Sequence, residues 1–252
     1  MKKIRTYRTR FNKDIVSEWL LPIRPSNKVI ILCDGLPVIP CKNDLMMTWS
    51  KQGYWVFYPR YRGSWESGGW LLGQSPHLDI LEVVSGLFSG FKDLATGKKY
   101  SIDNPRIFLL GGSFGGPAVI LASRDKRVAA GVAISPVVDW RAPSPQEPLS
   151  EQYDWLKIAY GFGYRLKKID WNKLKTGNFY NPIKHINSIV GSKLMIIHSQ
   201  HDKIVRYKEV KIFSKQVGAK FYNLKTGGHL SMRLSVKTIW LKRIKSFYKN
   251  FS

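Results

Sequence analysis

Cysteine is nearly absent: Cys33 and Cys41 are the only two in 252 residues. Two thiols cannot build a disulfide framework or a four-thiolate zinc site, so both read as free thiols and a reducing cytoplasm is the default compartment. Acidic residues are also scarce, 17 against 41 lysines and arginines, which gives a net charge of +24; a small domain ordinarily carries roughly 2–8. No apolar run approaches the ~18 residues of a membrane span. The opening Met1-Lys2-Lys3-Ile4-Arg5 lacks the apolar stretch of a secretory leader. Metal-ligand spacings and phosphate-binding fingerprints are missing too, so neither a metal nor a cofactor is implied. What is plentiful is aromatic surface, with 9 Trp, 12 Tyr and 12 Phe, which excludes disorder as the main state. A chain of this length can bury roughly 70% of its unfolded surface without a staple.

The positive charge is unevenly placed. Residues 1–28 carry 8 basic and 2 acidic side chains, residues 29–110 carry 8 and 7, residues 111–164 carry 5 and 5, and residues 165–252 carry 20 and 3. A last third at +17 makes nucleic acid or anionic lipid a partner class to weigh. A lysine-rich, solvated surface explains the same numbers without a partner. The expectation is weak, salt-sensitive association with polyanions and no specific nucleic acid.

Short apolar runs alternate with helical patterns. The runs are Val29–Cys33, Tyr54–Tyr58, Arg106–Leu110, Val128–Ile134, Lys193–His198 and a weaker Ala219–Leu224. Unalternating runs suit strands covered on both faces, as in a parallel sheet. Between them, helices are predicted over Asn43–Gln52, Pro76–Leu94, Phe114–Ser123, Tyr207–Gln216 and Ser231–Lys249. The second would bury Leu78, Leu81, Val84, Leu87, Phe88 and Phe91. In the last, Val236, Trp240, Ile244, Phe247 and Phe251 form one apolar stripe, read as core rather than as a membrane-surface face. The alternation predicts an α/β fold: one domain over 1–252, a doubly wound, mostly parallel sheet with helices on both faces. Residues 137–189, rich in Pro, Trp and Tyr, break the rhythm and read as a short aromatic cap insertion.

The sharpest local signal is Gly111-Gly112-Ser113-Phe114-Gly115-Gly116, which follows an apolar strand and opens a helix. In that setting Gly-x-Ser-x-Gly is a nucleophile elbow, a tight turn that lifts a serine above the sheet edge beside helix N–H groups. A serine hydroxyl needs a base. Of His77, His185, His198, His201 and His229, the last lies in Thr226-Gly227-Gly228-His229 after the sixth strand, where a histidine is presented on a loop. His198 and His201 read as structural or pocket-lining. Asp202, past the fifth strand, is the candidate acid, with Asp139 as its rival. The order Ser113, Asp202, His229 matches one of the known triad orders. Oxyanion donors would be the N–H groups of Phe114 and of Leu36, in Asp34-Gly35-Leu36-Pro37, because Pro37 has no N–H. Trp140, Tyr153 and Trp155 are the candidate walls of an apolar acyl pocket, although packing of the insertion on the sheet also accounts for them.

These residues resemble the α/β-hydrolase superfamily and, more narrowly, the catalytic domain of the prolyl oligopeptidase family. The narrower likeness rests on Arg62-Gly63-Ser64 with Gly68-Gly69-Trp70, on Gly112-Ser113-Phe114-Gly115-Gly116, and on Ser135-Pro136-Val137-Val138-Asp139-Trp140. It implies a serine hydrolase working through an acyl-enzyme on a small ester or short peptide. Two features depart from the family. Its usual His-Gly-Gly-Pro is replaced by Asp34-Gly35-Leu36-Pro37, and only about 28 residues precede the first core strand, too few for the family's substrate-screening propeller. Carboxylester cleavage is therefore expected ahead of oligopeptidase activity, and Glu66, Glu147 and Glu151 show no pattern for holding a peptide terminus. A hydrolase fold serving only as a basic binding module is the remaining reading. It gives no reason for a serine, an acid and a histidine in this order.

Overall fold

The computed structural model describes residues 5–142, 144 and 146–251. Ten strands lie among them: β1 (Tyr7–Phe11), β2 (Ile15–Leu20), β3 (Lys28–Cys33), β4 (Trp55–Pro59), β5 (Phe91–Lys92), β6 (Lys99–Tyr100), β7 (Arg106–Gly112), β8 (Val128–Ile134), β9 (Leu194–Ser199) and β10 (Lys220–Leu224). Seven helices separate or follow them: α1 (Asn43–Lys51), α2 (Pro76–Ser89), α3 (Gly115–Ala122), α4 (Leu149–Tyr160), α5 (Lys168–Lys175), α6 (Tyr207–Val217) and α7 (Thr238–Lys249). Eight strands form one sheet in the order β1-β2-β4-β3-β7-β8-β9-β10. From β4 to β10 all neighbours are parallel, whereas β1–β2 and β2–β4 are antiparallel.

The strands are apolar without a break because both faces are covered. Val29, Ile31 and Cys33 of β3 join one core with α2, α3 and α6, while Ile30 and Leu32 join the other with α1 and α7. Alternate side chains of β7 and β9 divide in the same way: Ile107, Leu109, Leu194 and Ile196 on one side, Phe108, Leu110, Met195 and Ile197 on the other. This period of two is what a pleated strand imposes. Trp240, Ile244 and Phe247 are buried against the second core, with Val236 and Phe251 packed at its margin. The terminal stripe is thus core.

Three expectations need correction. The first strands were not foreseen: β1 and β2 form a hairpin on the sheet edge, where Tyr7 stacks on Trp19 with centroids 4.6 Å apart. Helix α2 stops at Ser89, because Gly90 takes φ +84° and Phe91 begins a strand. Its buried face is Pro76, Asp79, Ile80, Val83, Val84 and Leu87, which leaves Leu78, Phe88 and the following Leu94 exposed. The last helix begins at Thr238, preceded by a 3-10 turn over Met232–Val236. The insertion folds as α4 and α5 with 3-10 turns at Gly161–Gly163 and Pro182–Ser188.

Arg62 anchors one of the loops that cross this edge. Its guanidinium reaches Asp79 at 2.5 Å, Asp14 at 3.2 Å and also Glu82. This ties the loop after β4 to α2 and to the β1–β2 turn, and the contacts are structural.

Candidate functional site

Ser113 sits between the end of β7 and the start of α3 with φ +51°, a left-handed conformation costly for a residue with a Cβ. The turn closes because its neighbours have no side chains. A Cβ on Gly115 would lie 2.0 Å from the Cys33 carbonyl oxygen, and one on Gly116 would lie 2.3 Å from Pro136 Cβ. Strand β3 and the loop after β8 therefore pass directly against the elbow. Ser113 N–H donates to Ile134 O at 3.0 Å, and Gly116 N–H returns to Ser113 O at 2.9 Å. All of α3 is buried.

Asp202 lies just past β9, and its side chain has no solvent exposure. Its Oδ1 accepts the N–H groups of Ile204 and Val205, both at 2.9 Å. Its Oδ2 accepts Nδ1–H of His229 at 2.8 Å. Burial alone would raise this carboxyl, but the His229 bond and charge, the Val205 N–H and His198 outweigh burial and hold it below the usual carboxylate value. An ionised carboxylate only accepts, so Nδ1 of His229 carries the proton of this bond. Ser135 fixes the histidine loop from below: its hydroxyl accepts Leu230 N–H at 3.0 Å. The loop also meets the elbow, since a Cβ on Gly112 would be 3.4 Å from Met232.

His198 and His77 are held in other contacts. His198 is fully buried, donates Nε2–H to Val205 O at 3.0 Å, and has its Nδ1 unpartnered; burial pushes its pKa down. His77 Nδ1 meets Ser75 Oγ at 2.8 Å, and burial beside Arg124 and His185 lowers it to about 4. His201 is exposed. Asp139 holds Asn181 at 2.9 Å and the Arg141 N–H at 3.1 Å, so its carboxylate serves the loop after β8 rather than His229.

Leu36 and Phe114 both line the cavity that contains Ser113. The ideal Cβ position of Gly35 is 3.6 Å from Ser113 Cβ, which brings the Asp34–Pro37 loop against the serine. Among the described residues, neither the Leu36 nor the Phe114 N–H has a hydrogen-bond acceptor. Asp34 moors this loop from beneath. Its buried carboxyl accepts Gly35 N–H at 2.9 Å and the Tyr58 hydroxyl, with Lys42 Nζ at 3.4 Å. Burial raises its pKa, and Lys42, Tyr58 and Gly35 only partly offset that. Phe114 is pinned by Tyr180, whose hydroxyl donates to Phe114 O at 2.7 Å, and by the rings of Tyr61 and Trp140. Tyr180 is not marked by the sequence, and Ser135 is marked there only as part of a motif without a role, since both act through partners distant along the chain.

A cavity of about 270 Å³ opens beside Ser113, walled by Leu36, Phe114, Val138, Trp140, Trp155 and Trp171 among others. Trp140 and Trp155 are among its lining residues. Tyr153 is not among them; its ring centroid lies 6.4 Å from that of Trp171. Along α4 the cavity takes Leu149, Gln152, Trp155 and Leu156.

Comparison with known proteins bears on the family and the fold. The model of the prolyl oligopeptidase family matches residues 43–252. No curated protein matches the chain in sequence. Similar solved structures include an esterase of Pyrococcus furiosus, 20% identical, with TM-score 0.69 over 99% of this chain and 91% of the other. An α/β-hydrolase from a Penicillium species is 16% identical, with TM-score 0.70 over 99% of each chain. The acylaminoacyl peptidase of Pyrococcus horikoshii is 19% identical, with TM-score 0.63 over 99% of this chain and 41% of that longer one. With an α/β-hydrolase fold and a family match across most of its length, this chain belongs to the prolyl oligopeptidase family and is a serine hydrolase.

Proposed function

We propose that the chain cleaves carboxylic esters through an acyl-serine intermediate at Ser113. The observation that carries this reading is the 2.8 Å bond from His229 Nδ1 to a fully buried Asp202, on a loop packed against the Ser113 elbow. Asp202 holds His229 in the tautomer whose Nε2 accepts the serine proton, and it stabilises the imidazolium that forms. Ser113 Oγ then attacks the carbonyl carbon. The resulting oxyanion is met by the N–H groups of Phe114 and Leu36. His229 returns the proton to the leaving alcohol, and water repeats the sequence on the acyl-enzyme.

Ester cleavage is placed ahead of amide cleavage for two reasons. An alkoxide leaves with less assistance than an amine, and the cavity wall is mainly apolar, suiting a short to medium acyl chain. Oligopeptidase activity is the second reading, favoured by the family match. A panel of 4-nitrophenyl esters from two to ten carbons beside aminoacyl 4-nitroanilides separates the two. The esters are expected to give the higher kcat/KM; a clear preference for an aminoacyl anilide reverses the order.

A further inference from the structure

Helix α4 turns an apolar stripe outward. A surface helix ordinarily sets apolar residues at i, i+3, i+4 and i+7 against the core. Here those positions are Trp155, Ile158, Ala159 and, in the 3-10 turn that follows, Phe162. All four are exposed, Ile158 by 84% and Phe162 by 96%. Leu156 is the one buried residue of the helix. The turn that carries Phe162 is anchored at its base. The Gly163 carbonyl accepts Trp65 N–H at 2.7 Å, and Arg165 N–H donates to Gly63 O at 2.7 Å. The Tyr164 hydroxyl donates to Val38 O at 2.9 Å. A phenylalanine between Gly161 and Gly163 is thus held in water by a fixed turn. Single exposed apolar residues are ordinary on a protein surface, whereas a contiguous stripe marks a place of contact.

The charge around the stripe selects its partner. Residues 155–169 carry four basic side chains and no acidic one, and the acidic residues of α4, Glu151 and Asp154, precede the stripe. Arg165 is engaged by the carbonyls of Trp65, Ser67 and Gly69. Lys157, Lys167 and Lys168 are exposed, and among the described residues none of them pairs with a carboxylate. Lys167 lies over the half-exposed ring of Trp70 at 4.3 Å, and Lys168 over Tyr153 at 5.9 Å. A second copy of the chain fits poorly, because a two-fold contact would set the same unpaired lysines face to face. We infer that this edge of the insertion docks on an anionic lipid surface. Ile158 and Phe162 enter the boundary between headgroups and acyl chains, and the three lysines lie at the headgroups on their long apolar stems. Trp155 joins the stripe to the wall of the cavity beside Ser113, so docking sets that cavity beside the lipid. The inference does not depend on acylation of Ser113.

The test reads binding and depth. The full chain is mixed with vesicles of phosphatidylcholine alone, or of phosphatidylcholine with an equal part of phosphatidylglycerol, and binding is followed by co-sedimentation. The wild type is compared with the double variant Ile158→Ser/Phe162→Ser and the triple variant Lys157→Gln/Lys167→Gln/Lys168→Gln, after thermal melts establish that each is folded. The mixed vesicles are expected to bind the wild type about tenfold or more tightly than phosphatidylcholine alone. The double variant is expected to lose about tenfold or more of that affinity, and the triple variant about tenfold or more. For depth, a polarity-sensitive dye is placed on Phe162→Cys in a Cys41→Ser background, because Cys41 is an exposed thiol. Its emission is expected to shift to the blue on the mixed vesicles, whereas the same dye on Ser246→Cys, on the exposed side of α7, is expected to stay unchanged. No binding, or equal affinity for the two kinds of vesicle, overturns the inference. So does binding that is unchanged in the double variant, or a dye shift at position 246 without one at 162, since either assigns the contact to the general basic surface. Sedimentation equilibrium without lipid covers the remaining occupant: a dimer that dissociates in the double variant would make the stripe an interface between copies, and the inference falls.

Discussion

Asp202 and Asp139 sit at the ends of neighbouring strands, yet their surroundings separate their roles. Asp202 is dry and bound to His229, whereas Asp139 is tied to Asn181 and the Arg141 backbone. Asp202→Asn is expected to lower ester turnover by roughly 10⁴, because an amide cannot hold the same imidazole tautomer. Asp139→Asn should retain most activity, and steady-state kinetics of the two variants side by side decides between them. The pH dependence of stability carries a second test. A histidine lowered from 6.5 to about 4, as His77 is, binds its proton in the unfolded chain before it does so in the folded one. Stability contributed by neutral His77 is therefore present above about 6.5 and is lost as pH falls toward about 4, by on the order of 3 kcal/mol. Urea unfolding of His77→Gln between pH 7 and 4 should show a shallower loss than the wild type; parallel curves would contradict it. At this scale the sequence was informative where chemistry imposes an order, as for Ser113, Asp202 and His229. It assigned no role to Ser135 and was silent on Tyr180, whose partners lie 95 and 66 residues away along the chain.

Strand β3, helix α3 and the loop after β8 meet at a point where only glycine fits. Gly115→Ala would place a methyl 2.0 Å from the Cys33 carbonyl oxygen, which is backbone and cannot yield cheaply. The expected result is a loss of about 2–4 kcal/mol or failure to fold, read by chemical denaturation. The far end of the molecule offers a contrasting case. Ile244 of α7 is fully buried on the opposite face of the sheet, so Ile244→Ala should cost about 2–5 kcal/mol by leaving a cavity, with the kcat of the folded fraction unchanged. Parallel strands and their helices were legible because burial on both faces leaves continuous apolar runs. The β1–β2 hairpin was not: Arg8 and Arg10 alternate with Tyr7, Thr9 and Phe11, and the charge of that segment obscured a period of two. The apolar spacing of α2 continues through Phe91, but Gly90, with φ +84°, ends the helix before it.

Across the whole molecule, the net charge of +24 is carried largely by exposed lysines, while the apolar stripe of α7 is buried in the core. No helix among the described residues is long and apolar enough to cross a membrane. Association with heparin or DNA is expected to be weak, indifferent to sequence and lost by about 0.3 M salt, where exposed charges are screened. Retention on either at that salt would favour a binding role for the basic third. The central claim is chemical, and covalent labelling addresses it most directly. The protein is treated with a fluorophosphonate, its intact mass is measured, and the modified peptide is sequenced. The account predicts one adduct per chain, located on Ser113, absent from Ser113→Ala and much slower to form in His229→Ala. An adduct on another serine, or ester hydrolysis that persists in Ser113→Ala, would contradict it.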